Sequence, residues 1–210
     1  MRILFQGDSI TDAARSNECG CKHAMGQGYA LLAAARLAAK YPGEIEYLNF
    51  GVSGDRCVDI YARIRRDCWN HKPDVVSFLF GVNDIGHEYA AQNGVDHDRA
   101  VRVSRMLIED TLAALPGVQI MLLEPFIIKG TATERNWEEY DRQIRARAAA
   151  TKQLAEEYGL IFVPLQEKLD EVCRLCEPTY WVWDGVHPTI AGHQLMADAW
   201  VEAFEREIMK

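Results

Sequence analysis

No stretch of this 210-residue chain approaches the run of about 18 apolar residues that a membrane-spanning helix needs. Nor does it open on a secretory signal. Ile3-Leu4-Phe5 is cut off by Gln6-Gly7-Asp8, well short of the roughly 7–15 apolar residues of a signal core. A cytoplasmic location with no membrane partner is therefore expected. Positive charge is scarce as well. Lys and Arg number 23 against 31 Asp and Glu, a net charge of -8. That balance argues against a nucleic-acid partner, which needs clustered cations to neutralise phosphates. The short basic run from Arg142 to Arg147 is broken by Gln143, Ile144 and Ala146, and reads as the wet face of a helix.

Metal and redox signatures are missing too. Cys19 and Cys21 form one close pair, and Cys173 and Cys176 another. Neither has a second ligand pair at zinc spacing, and Cys173 lies far from any thioredoxin-like strand–helix start. Cys57 and Cys68 fall in an expected helix and read as small apolar residues. No metal and no cofactor are expected. Linkers, low-complexity tracts and repeats are absent, so residues 1–210 are read as one domain. At 49% hydrophobic and 26% charged, a chain of this length buries a core without bridges or metals.

What is present is an alternation of short β-rich runs and helical segments. Strands are expected at residues 3–5, 45–50, 75–80, 118–123 and 160–163. The third run is nearly continuous in apolar character, which fits burial on both faces. Helices are expected at residues 29–41, 58–69, 98–115, 137–158, 165–176 and 189–208. Pro42-Gly43, Pro116-Gly117 and Gly159 serve as stops. Residues 85–97 read as a loop that shapes the mouth of any site. Strands separated by helices imply βαβ units and a five-stranded parallel sheet. Right-handed crossovers then give a three-layer α/β/α sandwich. Sites in such sheets form beyond the carboxyl ends of the strands.

Four polar clusters fall where that rule points. Gly7-Asp8-Ser9-Ile10-Thr11 follows the first strand, Gly51-Val52-Ser53-Gly54-Asp55 the second and Gly81-Val82-Asn83-Asp84 the third. Trp183-Asp184-Gly185-Val186-His187-Pro188 precedes the last helix. Taken alone, Ser9 is a helix N-cap, Gly54 a turn glycine, Asn83-Asp84 a helix cap and Asp184 with His187 a capping turn. Together they read as acyl-transfer machinery. Ser9 is a weak nucleophile that needs a base, and His187 is the side chain suited to take and return a proton near neutral pH. Asp184, three residues earlier, meets the other ring nitrogen and fixes its tautomer. An attacked ester becomes an oxyanion, for which the amides of Ser9 and Gly54 and the side chain of Asn83 are candidate donors.

These clusters resemble the four signature blocks of SGNH hydrolases, also called GDSL-type lipases or esterases. Gly7-Asp8-Ser9 resembles the nucleophile block, Gly54 within residues 49–55 the glycine block, Gly81-Val82-Asn83-Asp84 the asparagine block, and Asp184 to His187 the D-x-x-H block. The resemblance spans residues 7–188. It implies a flavodoxin-like α/β/α fold and metal-free hydrolysis through an acyl-serine intermediate. Within the family the chain is similar to small intracellular acetylxylan esterases, through Gly26-Gln27-Gly28-Tyr29, Gly51 to Gly54, Glu124-Pro125-Phe126-Ile127-Ile128 and Trp183 to Pro188. The α/β-hydrolase elbow G-x-S-x-G fits poorly, since Thr11 stands at its last glycine.

Three functions follow. The first is an acetylesterase acting on acetylated sugars, small-molecule substrates for which Asp8, Trp183 and Phe126 are candidate contacts. Tyr180, Trp181, Trp183 and Phe126 read either as an aromatic wall for a sugar or as core and subunit contacts. The second is a lysophospholipase or thioesterase, because the four blocks describe the acyl-transfer chemistry and not the leaving group. The third is a flavodoxin-like cofactor-binding module with residues 7–11 as an anion loop, which Asp8 and Asp12 disfavour. Related sugar esterases often assemble, so the resemblance also implies a homo-oligomer.

Overall fold

The computed structural model describes residues 1–16 and 24–209, so the Cys19–Cys21 pair lies outside the described residues. β1 (Arg2–Gly7), β2 (Glu46–Asn49), β3 (Val75–Leu79), β4 (Gln119–Leu123) and β5 (Ile161–Val163) form one parallel sheet in the order β2-β1-β3-β4-β5. Every expected strand is present. The period-2 geometry of a strand sends neighbours to opposite faces. Ile3, Phe5, Val75, Leu79, Met121 and Leu123 face one way, and Leu4, Val76, Phe78, Ile120 and Leu122 the other.

Helices cover both faces. On the first lie α2 (Tyr29–Lys40) and α9 (Ile190–Glu207), which bury Tyr29, Leu37, Met196, Trp200 and Phe204. On the second lie α3 (Cys57–Asp67) and α5 (His97–Ala114), which bury Ile60, Ile64, Leu107 and Ile108. The long α6 (Trp137–Tyr158) serves both cores, placing Tyr140 and Ile144 in one and Leu154 in the other. Each large side chain so buried contributes about 1.5–3 kcal/mol of transfer free energy. The buried Ser77 is satisfied by the indole Nε1 of Trp200, which donates to it at 2.9 Å. Shorter helices complete the chain: α1 (Ser9–Asp12), α4 (Val82–Ala91), α7 (Gln166–Val172) and α8 (Pro178–Trp181). No helix among the described residues is long and apolar enough to cross a membrane.

Three expectations are corrected. Residues 85–97 are not one loop, because α4 runs on to Ala91. The helix expected at 165–176 stops at Val172 and leaves Cys173 and Cys176 in a turn, both as free thiols. The basic run of α6 is not wholly wet. Arg142 and Arg145 pair with Glu139 and Asp141 on the surface, but Arg147 is buried and donates to the carbonyls of Val95 and His97.

Because β2 lies beyond β1 on one side and β4 beyond β3 on the other, the connections that leave β1 and β3 run in opposite directions. A crevice opens at the carboxyl end of β1 and β3. The segments that carry Ser9, Gly54 and Asn83 all begin at this edge of the sheet.

Candidate active site

The turn that carries Ser9 leaves β1 at Gly7. A Cβ there would lie 2.3 Å from Thr11 Oγ1 and 2.6 Å from the Leu79 carbonyl, so only glycine lets the turn close. Asp8, not Ser9, is the N-cap of α1: its carboxylate accepts from the Ile10 amide at 3.0 Å. Ser9 is thereby the first helical residue, and its hydroxyl is not spent on capping. Burial pushes the Asp8 carboxyl up to about 7. Its second oxygen has no partner among the described residues.

The second strand delivers an arm that is stitched to this turn. Asn49 donates to the carbonyls of Thr11 (2.7 Å) and Met25 (2.8 Å) and accepts from the Gly51 amide (2.9 Å). Asp12 accepts from the Ser53 amide and hydroxyl at 3.0 and 2.9 Å. Val52 donates to the Gly7 carbonyl at 2.9 Å. Gly54 ends the arm at φ +85°, in open space. The amides of Ser9 and Gly54 donate to no acceptor among the described residues. From the third strand, Asn83 reaches the same place, with its amide donating to the Asp55 carbonyl at 3.1 Å. The Arg63 guanidinium holds Asp55 at 2.5 Å and Asp67 at 2.7 Å, and donates to the Phe50 carbonyl at 3.0 Å.

The last cluster brings a carboxylate and an imidazole together within one turn. Asp184 Oδ1 accepts from the amides of Val186 and His187 at 2.9 and 2.8 Å. Its Oδ2 meets His187 Nδ1 at 2.7 Å. Burial raises the affinity of the Asp184 carboxyl for a proton. The bonds from the His187 amide, the His187 ring and the Val186 amide outweigh that and hold it below the ordinary carboxylate range. The other ring nitrogen, Nε2, lies 2.9 Å from Ser9 Oγ. Hydroxyl, imidazole and carboxylate thus stand in hydrogen-bonded sequence across 178 residues of chain. The arrangement can draw a proton from a serine and stabilise the resulting imidazolium.

The sequence matches the GDSL-like Lipase/Acylhydrolase family over residues 5–195. The chain belongs to this family. It is 36% identical over 217 aligned positions to an acetylxylan esterase of Geobacillus stearothermophilus, covering 99% of this chain and 93% of that one. A crystal structure of an acetylxylan esterase from the same organism superposes with a TM-score of 0.85 at 32% identity, over 96% of this chain and 93% of that chain. A structure described as a candidate GDSL-like lipase from Parabacteroides merdae gives 0.90 at 37% identity, over 96% and 94%. The protein is a carboxylic ester hydrolase.

Two of the expected substrate contacts in this GDSL-like hydrolase are corrected. Asp8 is fully buried beneath the nucleophile turn, and Phe126 is 1% exposed within the core. Neither offers surface to a ligand. Trp183 does: it is 58% exposed and stacks on the His187 ring, with centroids 5.8 Å apart. Tyr180 is exposed and Trp181 half-buried. Several supporting residues carry no sequence signal of their own. Besides Asn49, Asp12 and Arg63, these include His193, whose Nδ1 accepts from the Tyr29 amide at 3.1 Å and so caps α2 where Gly28 cannot. Burial, with repulsion from His187, brings the His193 imidazole down to about 4.

Proposed function

We propose that this esterase removes acetyl groups from acetylated sugars, xylo-oligosaccharides among them, through an acyl-enzyme on Ser9. The observation that carries the catalytic part is the pair of contacts on His187: 2.9 Å from Nε2 to Ser9 Oγ and 2.7 Å from Nδ1 to Asp184 Oδ2. His187 Nε2 takes the Ser9 proton as Oγ attacks the acetyl carbon. The oxyanion accepts from the free amides of Ser9 and Gly54 and from the side chain of Asn83. The imidazolium, held by Asp184, passes its proton to the departing sugar oxygen as the C–O bond breaks. Water then gives a proton to His187 and attacks the acetyl-serine, and acetate leaves as Ser9 is reprotonated.

The sugar part is supported by relatives that are acetylxylan esterases. It is also supported by Trp183, which stacks on the His187 ring and keeps 58% of its surface exposed beside it. Aromatic faces of this kind pack against the apolar side of a sugar ring. The test is a substrate panel of acetylated xylo-oligosaccharides, acyl thioesters and lysophospholipids, with Ser9→Ala as control. Acetate release from the sugars by wild type alone is expected. Preferential turnover of thioesters or lysophospholipids would replace the sugar reading, and full turnover by Ser9→Ala would remove the serine mechanism.

A further inference from the structure

The acid–base turn leans on a segment that no chemical step uses. After β4 the chain doubles back over residues 128–133, and Thr133, buried at 1% exposure, closes the loop. Its hydroxyl donates to the Ile128 carbonyl at 2.7 Å and accepts from the Gly130 amide at 2.9 Å. Closed in this way, the segment turns two of its own amides towards the acid–base turn. Ile128 donates to the Gly185 carbonyl at 2.9 Å, and Ala132 to the Asp184 carbonyl at 2.8 Å.

The two backbones meet with no slack. A Cβ on Gly130 would lie 2.5 Å from the carbonyl carbon of Asp184 and from the Gly185 nitrogen. A Cβ on Gly185, itself at φ +100°, would lie 2.6 Å from Thr133 Oγ1 and 2.7 Å from the Ile128 carbonyl oxygen. Any relaxation of residues 128–133 is therefore passed to Asp184 and, through its two bonds from the His187 amide and ring, to His187.

We propose that Thr133 is a positioning residue for the Asp184–His187 couple. Its hydroxyl fixes the segment whose amides set the distance from His187 Nε2 to Ser9. The inference rests on the serine mechanism above. It assigns Thr133 no contact with substrate, because the side chain is buried behind the turn. Loss of the hydroxyl frees the Gly130 amide and the Ile128 carbonyl, and the turn drifts. A shift of about 1 Å at a reacting group costs on the order of 100-fold in rate.

The decisive comparison is Thr133→Val against Thr133→Ser. Valine keeps the shape and loses both hydrogen bonds, whereas serine keeps both. For Thr133→Val, kcat on an acetyl ester is expected to fall about 10- to 100-fold with KM within about threefold of wild type. Thr133→Ser is expected to retain most of kcat. The downfield proton NMR signal of His187 Nδ1–H is expected to persist in Thr133→Ser and to broaden or vanish in Thr133→Val. Wild-type kcat with an unchanged His187 signal in a folded Thr133→Val overturns the assignment. So does a serine variant as impaired as the valine one. Hydrogen exchange on the wild-type protein covers the case in which valine does not fold. The amides of Ile128, Gly130 and Ala132 are expected to exchange as slowly as those of β4, and fast exchange would defeat the proposal. The NMR and exchange results stand whether or not the wild type cleaves esters, so failure of the serine mechanism is read separately, from Ser9→Ala.

Discussion

Replacing Asp184 by Asn separates what its two oxygens do. Oδ1 holds the turn together by accepting from Val186 and His187, while Oδ2 accepts from the ring at Nδ1. In Asp184→Asn the amide oxygen stays with the two main-chain donors. The opposite orientation would leave two buried N–H groups facing an NH2, at about 1–3 kcal/mol each. The NH2 group then faces Nδ1. Two donors cannot share that contact, so the ring moves its proton to Nε2 and points it at Ser9 Oγ. A base that already carries its proton cannot take another. In a triad of this kind the wrong tautomer costs about 10⁴ in kcat, or about 5.4 kcal/mol of transition-state stabilisation. The turn itself is kept, so thermal stability is expected to change little. Steady-state hydrolysis of p-nitrophenyl acetate between about pH 7 and 9, with melting curves on the same samples, measures both. A folded Asp184→Asn within tenfold of wild-type kcat, beside an inactive Ser9→Ala, would show that the ring does not need Asp184 to set its tautomer.

Asn83→Ala is expected to lower kcat about 10²- to 10³-fold with little change in KM, since its donor serves charge that develops only in the transition state. A change confined to KM would remove Asn83 from that role. Gly51→Ala would set a Cβ 2.4 Å from the Asp12 nitrogen. It is expected to cost about 1–3 kcal/mol of stability and to reduce activity by parting the arm from the nucleophile turn, as chemical denaturation and kinetics would read. Asp8 and His193 are expected to pull stability in opposite directions with pH. Burial raises the Asp8 carboxyl from 3.8 to about 7, so its stabilisation is full below about pH 4 and is lost as pH rises to 7. Burial lowers His193 from 6.5 to about 4, so its stabilisation is full above about pH 6.5 and is lost as pH falls to 4. Each is worth about 3–4 kcal/mol at most. Between about pH 7 and 4.5 the two contributions therefore oppose each other in the wild type. Asp8→Asn, which keeps the cap, should lose stability on acidification, and His193→Asn should gain it. Parallel curves for both variants would contradict this.

The residues that meet at the candidate site were legible because each sits directly after a strand or before the last helix, where local pattern and topology coincide. The strands were legible for a related reason: β3 is buried along its whole length and carries almost no polar interruption. α4 was not. Its Asn83, Asp84 and Gly86 are poor helix formers, and long-range contacts hold it instead. Asp84 accepts from the Cys57 amide at 3.1 Å, and the Tyr140 hydroxyl donates to the Val82 carbonyl at 3.1 Å. Gly86 is required because that hydroxyl lies 2.8 Å from where its Cβ would be. Asp8 and Phe126 were candidate substrate contacts because they neighbour the motifs in sequence, but adjacency says nothing of which way a side chain faces. The segment around Thr133 was invisible because it meets the Asp184 turn through main-chain amides, which nearly every residue carries, and because one buried threonine hydroxyl makes no pattern.

The 178-residue gap between Ser9 and His187 also bears on synthesis. A chain emerging from the ribosome at about 5–20 residues per second exposes its leading portion first. Ser9 has then left the ribosome many seconds before His187 can reach it. On the serine mechanism proposed above, a nascent polypeptide is thus inactive on esters until α9 docks beside α2 and carries the preceding turn home. Onset of turnover during cell-free translation would consequently report the docking of that last helix, and not the earlier appearance of the sheet.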